Sequence, residues 1–172
     1  DQPRSRGLGD VYKRQMLIFI IKKYSPEDVV KVFDYLKHEL GDEVFKNLFE
    51  VILTDNGWEF SRPEDIEYNY KTGERLINIF YTESYSSWQK GGIERNHEFI
   101  RYIIPKGITF DYLTKKNAID MMNNINNVRR KTLDYQTPYD LFSEQYGEDI
   151  CSLLHLTYIP KDEVNLSYKI LK

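Results

Sequence analysis

An aspartate ends the apolar run Val51-Ile52-Leu53-Thr54, and Asn56-Gly57 follows it at once. Runs rich in β-branched residues form strands, and open α/β sheets build their sites at the carboxyl ends of strands. A carboxylate in that place is a candidate site residue. Gly57 lets the chain turn sharply beside it. The tripeptide Asp55-Asn56-Gly57 also reads as an ordinary turn, since these residues favour turns for local reasons. A second acid, Glu94, opens a polar helix after Gly91-Gly92. Glu94, His97, Glu98 and Arg101 recur at spacings of three and four, which brings them to one helical face. An acid beside a histidine and an arginine can hold a divalent ion and approach a phosphate. A solvated network of Glu94, Glu98 and Arg101 accounts for the same spacing without any ligand.

The elements that must position these acids follow from periodicity and caps. Met16–Ile21 is unbroken in its apolarity and predicts a strand buried on both faces. Ser25, Pro26 and Asp28 supply the N-cap, first-turn proline and capping box of a helix, whose stripe is Val29, Val32, Phe33, Leu36 and Leu40. A shorter helix is expected over Asp42–Phe49, a second strand at residues 49–54 and a third over Ile77–Glu83. Residues 61–76, with Pro63 and Gly73, read as an exposed loop or hairpin. A helix from about Ile93 to Ile104 is stopped by Pro105. Another starts at Thr114 and buries Ala118, Met121, Met122, Ile125 and Val128. Two more are expected from Thr137 to Tyr146 and over Glu148–Leu154. Strand, helix, strand and a further strand is the rhythm of an α/β sheet with a parallel pair.

Composition narrows the class. A chain of 172 residues, 41% hydrophobic, can bury one core, and 15% aromatic residues argue for a folded chain. The one cysteine, Cys151, excludes an internal disulfide and a thiolate metal centre, and suits a reducing cytoplasm. The longest apolar run, Met16–Ile21, is too short to cross a bilayer, so no membrane is expected. A net charge of −3 is a poor global sign of nucleic-acid binding. Its distribution is uneven: residues 88–131 hold nine basic and four acidic side chains. That segment suits local phosphate contact or a solvated mixed-charge surface. Residues 1–15, "DQPRSRGLGDVYKRQ", read as adapter-like translated sequence or as a flexible arm, and are kept out of the fold.

Three stretches then occur in order: "LTDNGWEF", "YSSWQKGGIERNHEFIRYIIPKG" and "INNVRRKTLDYQTPYDLF". Together they resemble the catalytic core of bacterial insertion-sequence transposases of the IS-thirty type, in the retroviral-integrase superfamily. The likeness runs from Met16 to Phe142. It implies an α/β, RNase H-like fold with additional C-terminal helices, acting on DNA. It also implies an Asp-Asp-Glu site holding two Mg²⁺ or Mn²⁺ ions for phosphodiester cleavage and strand transfer. Asp55 matches the family's second acid and Glu94 its third. Asn56, Gly57, Glu59 and Phe60 match the surroundings of the former, and Ser86, Ser87 and Trp88 the approach to the latter. Lys90, His97, Arg101, Lys106 and the basic run Arg129, Arg130, Lys131 are the DNA-binding candidates; the last run serves equally as a helix C-cap.

The family's first aspartate has no match here, because Asp10 stands too close to Met16 to leave room for two further strands. The expected domains are therefore a leader (1–15), a partial catalytic core lacking the first two strands (16–142) and a C-terminal tail (143–172). The function implied is DNA transposition, with the fragment inactive alone. The alternative is a non-catalytic remnant that binds DNA or intact transposase, and a third option is a stand-alone RNase H-like nuclease. Implied partners are transposon-end and target DNA and further copies of the enzyme, at the bacterial nucleoid. With two strands missing, Met16–Ile21 is expected to pair directly, in parallel, with Val51–Thr54.

Overall fold

The computed structural model describes residues 15–82 and 91–171, with only the backbone of 91–96. The chain divides into two compact units, one spanning Ile21–Lys90 and the other combining the residues up to Ile20 with Gly91–Lys172.

In the first unit, helix α1 runs over Pro26–Leu48. Ser25 caps it, its hydroxyl accepting from the Asp28 N–H at 3.3 Å. The reciprocal half of the expected capping box is not made: the Asp28 carboxylate accepts from the Lys23 N–H instead. Gly41, at φ 72°, kinks the helix, so the two helices expected on either side of it are continuous apart from that kink. Strand β1 (Val51–Thr54) follows, then a short helix α2 (Pro63–Glu67) and strand β2 (Asn78–Tyr81). Residues 61–76 thus hold a helical turn as well as a hairpin, closed by the Tyr68–Arg75 bridge. β1 and β2 pair in parallel, with Val51 opposite Asn78 and Thr54 opposite Tyr81. Val29, Leu36, Leu40, Phe45, Ile66, Ile77 and Ile79 are buried, each such side chain contributing roughly 1.5–3 kcal/mol. Glu67, itself buried, finishes the side of β2 away from β1: its carboxylate accepts from the Ile79 N–H at 2.7 Å and from Arg75 at 2.8 Å.

In the second unit, α3 spans Gly91–Ile103, α4 Lys115–Asn126 and α5 Pro138–Leu153. Thr114 and Thr137 start the last two with complete capping boxes. Gly147, at φ 84°, breaks α5 where the sequence separates two helices, and the boundary expected at 142/143 falls inside it. The core is Ile103, Ile104, Met121 and Ile125, with Met16, Ile18, Leu166, Ile170 and Leu171 packed on it.

The expected strand at Met16–Ile21 is a correction. Residues 15–20 hold no strand, and β1 pairs with β2 alone among the described residues. The Met16 N–H donates to Asn126 Oδ1 at 2.8 Å, and the Met16 carbonyl accepts from Asn126 Nδ2 at 2.7 Å. One buried side-chain amide thus takes the place of a partner strand. Met16 and Ile18 pack inward while Phe19 and Ile20 stay over a third exposed, so burial on both faces does not occur either. The same helix and its C-cap Asn127 hold the segment that follows α5. Asn123 bonds to the His155 carbonyl and the Thr157 N–H, and Asn127 to the Thr157 carbonyl and the Ile159 N–H, all at 2.9–3.0 Å. Buried amides need partners, and an extended main chain supplies a donor and an acceptor in step. No helix among the described residues is long and apolar enough to cross a membrane.

Candidate active site

Asp55 is exposed at the carboxyl end of β1, directly after Thr54, which is 6% exposed. The turn beyond it is pinned from three sides. The Thr82 N–H donates to the Thr54 carbonyl at 2.8 Å, continuing the ladder past β2. Asn56 Nδ2 donates to the Thr82 carbonyl at 3.3 Å. A 3₁₀ turn over Trp58–Phe60 follows, tied down by the Tyr81 hydroxyl donating to the Phe60 carbonyl at 2.7 Å. Tyr81 at the end of β2 and Thr82 just past it therefore hold both sides of the loop that carries Asp55, and the chain bends at Asn56 as the turn-favouring residues there predict.

Glycine at position 57 makes room for an acid. A Cβ there would collide with the Glu59 carboxylate, which folds back against it. One oxygen of that carboxylate, Oε2, is buried and has no hydrogen-bond partner. The Tyr24 phenol stands on the same carboxylate. That hydrogen bond, then burial, then the charges of Glu59 and Asp55 raise its pKa above the usual tyrosine value. The sequence brought Glu59 forward only as a motif match and Tyr24 not at all; the signal is the glycine two positions before the acid.

Glu94 lies in the first turn of α3 by backbone position. His97 and Arg101 are exposed farther along that helix, Arg101 in its last turn, and Lys106 is exposed just beyond it. Ile103 and Ile104, fully buried, anchor the helix end. Asp55 belongs to one unit and Glu94 to the other. Lys90, Ser86, Ser87 and Trp88 lie outside the described residues. No group of three His, Cys, Asp or Glu residues able to hold a metal comes together among the described residues. Oxygen donors of the kind a hard cation takes are nonetheless present on this loop: the exposed carboxylate of Asp55, and Oε2 of Glu59, which is buried with no hydrogen-bond partner.

The basic run after α4 divides. Arg130 is 5% exposed, with its guanidinium 4.2 Å from the centre of the Phe99 ring and Nη2 donating to the Ile125 carbonyl at 3.3 Å. It is part of this unit's interior, whereas Arg129 and Lys131 on either side are exposed. The Arg130 main chain also closes the loop that follows. Its N–H donates to the Gln136 carbonyl at 3.0 Å, and its carbonyl accepts from the Leu133 and Tyr135 N–H groups at 2.9 and 3.0 Å. Asp134 and Tyr135 both adopt left-handed backbone, φ 51° and 65°, which costs about 1–2 kcal/mol per L-residue.

Comparison with known proteins bears on the motifs. The chain is 36% identical over 99 residues to the transposase for insertion sequence element IS4351 of Bacteroides fragilis, covering 58% of this chain and 29% of that protein. It is 29% identical over 141 residues to transposase InsI for insertion sequence element IS30A of Escherichia coli K12, covering 80% of this chain and 34% of that protein. A third relative, the transposase for IS1086 of Cupriavidus metallidurans, is 25% identical over 97 residues, which are 56% of this chain and 27% of that protein. These matches place the chain among the relatives of insertion-sequence transposases. Within them the likeness extends to the IS30 type, as the motifs imply. The chain spans about a third or less of the length of these relatives. No family model and no solved structure matches it.

Proposed function

We propose that this chain is part of the catalytic core of a DNA transposase, in which Asp55 and Glu94 are two of three carboxylates that hold divalent metal for phosphodiester cleavage and strand transfer. The observation that supports it most is the placement of Asp55: exposed, at the end of a parallel strand, on a loop fixed by Tyr81 at the end of β2 and by Thr82 just past it. Similarity to transposases over most of the chain gives that placement its chemical meaning. The parallel β1–β2 pair and the helix that carries Glu94 agree with an RNase H-like core.

Two Mg²⁺ or Mn²⁺ ions, when bound, supply Lewis acidity to the phosphoryl group and lower the pKa of the attacking water or 3′-hydroxyl. The loop that carries Asp55 is already fixed, so metal binding there needs no rearrangement of the main chain. The exposed cations of Arg101 and Lys106 meet phosphate at the far end of the Glu94 helix, and His97 lies between. Arg129 and Lys131 add backbone contact, while Arg130 supports them from inside. With two of the three acids, this chain alone binds Mg²⁺ weakly and leaves DNA uncut, since Mg²⁺ gives up its water reluctantly. In the intact enzyme the partners are transposon ends, target DNA and further copies of the enzyme.

The test places Asp55→Asn and Glu94→Gln, singly, in a transposase of the relatives' full length and follows Mg²⁺-dependent cleavage at transposon ends. Each substitution is expected to abolish cleavage with DNA binding retained. Activity near wild type in either variant rejects the assignment. Cleavage by the 172-residue chain alone would instead favour a stand-alone nuclease. Binding to DNA or to intact transposase, with no effect of either substitution in the full-length enzyme, would favour a non-catalytic remnant.

A further inference from the structure

Residues 129–136 form a loop whose conformation is fixed at an energetic cost, and the side chain held out by that cost is aromatic. Arg130 anchors the loop from within, stacked on Phe99 and bonded through its main chain to Leu133, Tyr135 and Gln136. Thr137, buried and bonded to Asp140 at the start of α5, fixes the far end. Between these anchors the backbone passes through two successive left-handed residues. A bulky aromatic residue rarely adopts that conformation, and strained backbone of this kind persists where the surroundings over-determine it. The outcome is a Tyr135 side chain 64% exposed to solvent. Arg129 and Lys131 are exposed on the same loop, and among the described residues no ion pair engages either of them.

We infer that this loop is a binding element for unstacked DNA, with the Tyr135 ring stacking on an unpaired base and Arg129 and Lys131 meeting the flanking phosphates. The inference rests on the reading of this chain as part of a protein that acts on DNA. An exposed ring beside two exposed cations is the combination that holds single strands, because every base has a π-face and every nucleotide a phosphate. A fully paired duplex keeps its bases stacked inside and offers the ring nothing except its ends. The loop therefore distinguishes a single strand, or a duplex with a frayed end, from closed duplex.

The 172-residue chain is titrated with labelled single-stranded oligothymidine and with a closed hairpin duplex, with circular dichroism confirming the fold of each variant. Tyr135→Ala is expected to weaken single-strand binding by about fivefold to 150-fold, the range for loss of one base stack, and to change duplex binding less than twofold. Tyr135→Phe, which keeps the ring, stays within twofold of wild type on both. Arg129→Ala and Lys131→Ala weaken both, each lowering the salt slope for the single strand by about 0.7. Unchanged single-strand binding in folded Tyr135→Ala, an equal loss on both substrates, or no binding by the wild-type chain overturns the inference. None of these results decides the role of Asp55 and Glu94, which rests on cleavage in the full-length enzyme.

Discussion

Replacing Asn126 by alanine tests how the residues before α1 are held. The side chain is fully buried and makes two hydrogen bonds, to the N–H and the carbonyl of Met16. Neutral hydrogen bonds contribute about 1 kcal/mol each, so their loss predicts destabilisation of the docked segment by about 2 kcal/mol. The assay is amide exchange in the 172-residue chain. Opening of residues 16–20 becomes roughly 30-fold more frequent, taking tenfold as about 1.4 kcal/mol. Asn126→Asp sharpens the test, because an ionised carboxylate still accepts from the Met16 N–H yet cannot donate to the Met16 carbonyl. It also buries a charge, so at neutral pH it costs more than alanine. Burial raises the folded-state pKa of the introduced carboxyl above its unfolded value of about 3.9. Its extra cost is therefore absent below the unfolded pKa and grows as pH rises through the folded one. Exchange at residues 16–20 unchanged in Asn126→Ala would refute the view that this amide stands in for a partner strand.

Glu67→Ala removes the carboxylate that accepts from Ile79 and Arg75. It leaves a buried N–H unpaired, at a cost of about 1–3 kcal/mol for that group alone, measurable by urea denaturation. Thr137→Ala removes the N-cap of α5 and costs about 1 kcal/mol by the same measurement. Cys151 is buried, and burial, then the nearby Glu148 charge, push its thiol up to about 11. A native chain at pH 8.5 should resist a thiol reagent that labels the denatured chain within minutes. The neutral thiol favours the folded state below the unfolded pKa, near 8.5, and that contribution is lost as pH rises through about 11. Rapid native labelling would contradict this placement.

Most local signals in the sequence were reliable, the half-made capping box of Ser25 and Asp28 apart. Thr114 and Thr137 cap helices, and Gly41 and Gly147 break them, because caps and left-handed glycines act within a few residues. The acid at the strand end was legible for the same reason. Met16–Ile21 was misread because apolarity does not say what partners the backbone. That depends on Asn126, 110 residues away. Asn123, Asn124 and Asn126 of α4 and its C-cap Asn127 are buried against main chain from distant segments, and no local pattern in the sequence marks them for burial. Arg130 was grouped with its exposed neighbours since no local pattern separates it from them. Its burial depends on Phe99 in another helix. Tyr135 carried no sequence signal, because its exposure follows from a left-handed backbone that the surrounding hydrogen bonds impose.

The proposed assignment, in which Asp55 and Glu94 serve one metal site, is tested most directly by Mn²⁺ titration of the 172-residue chain followed by nuclear magnetic resonance. Paramagnetic broadening reports metal proximity even when affinity is low. Amides around Asp55 and amides in the first turn of α3 are expected to broaden together as Mn²⁺ is added, and Asp55→Asn to abolish broadening at both. Broadening at only one of the two, or broadening at Glu94 that persists unchanged in Asp55→Asn, would contradict it.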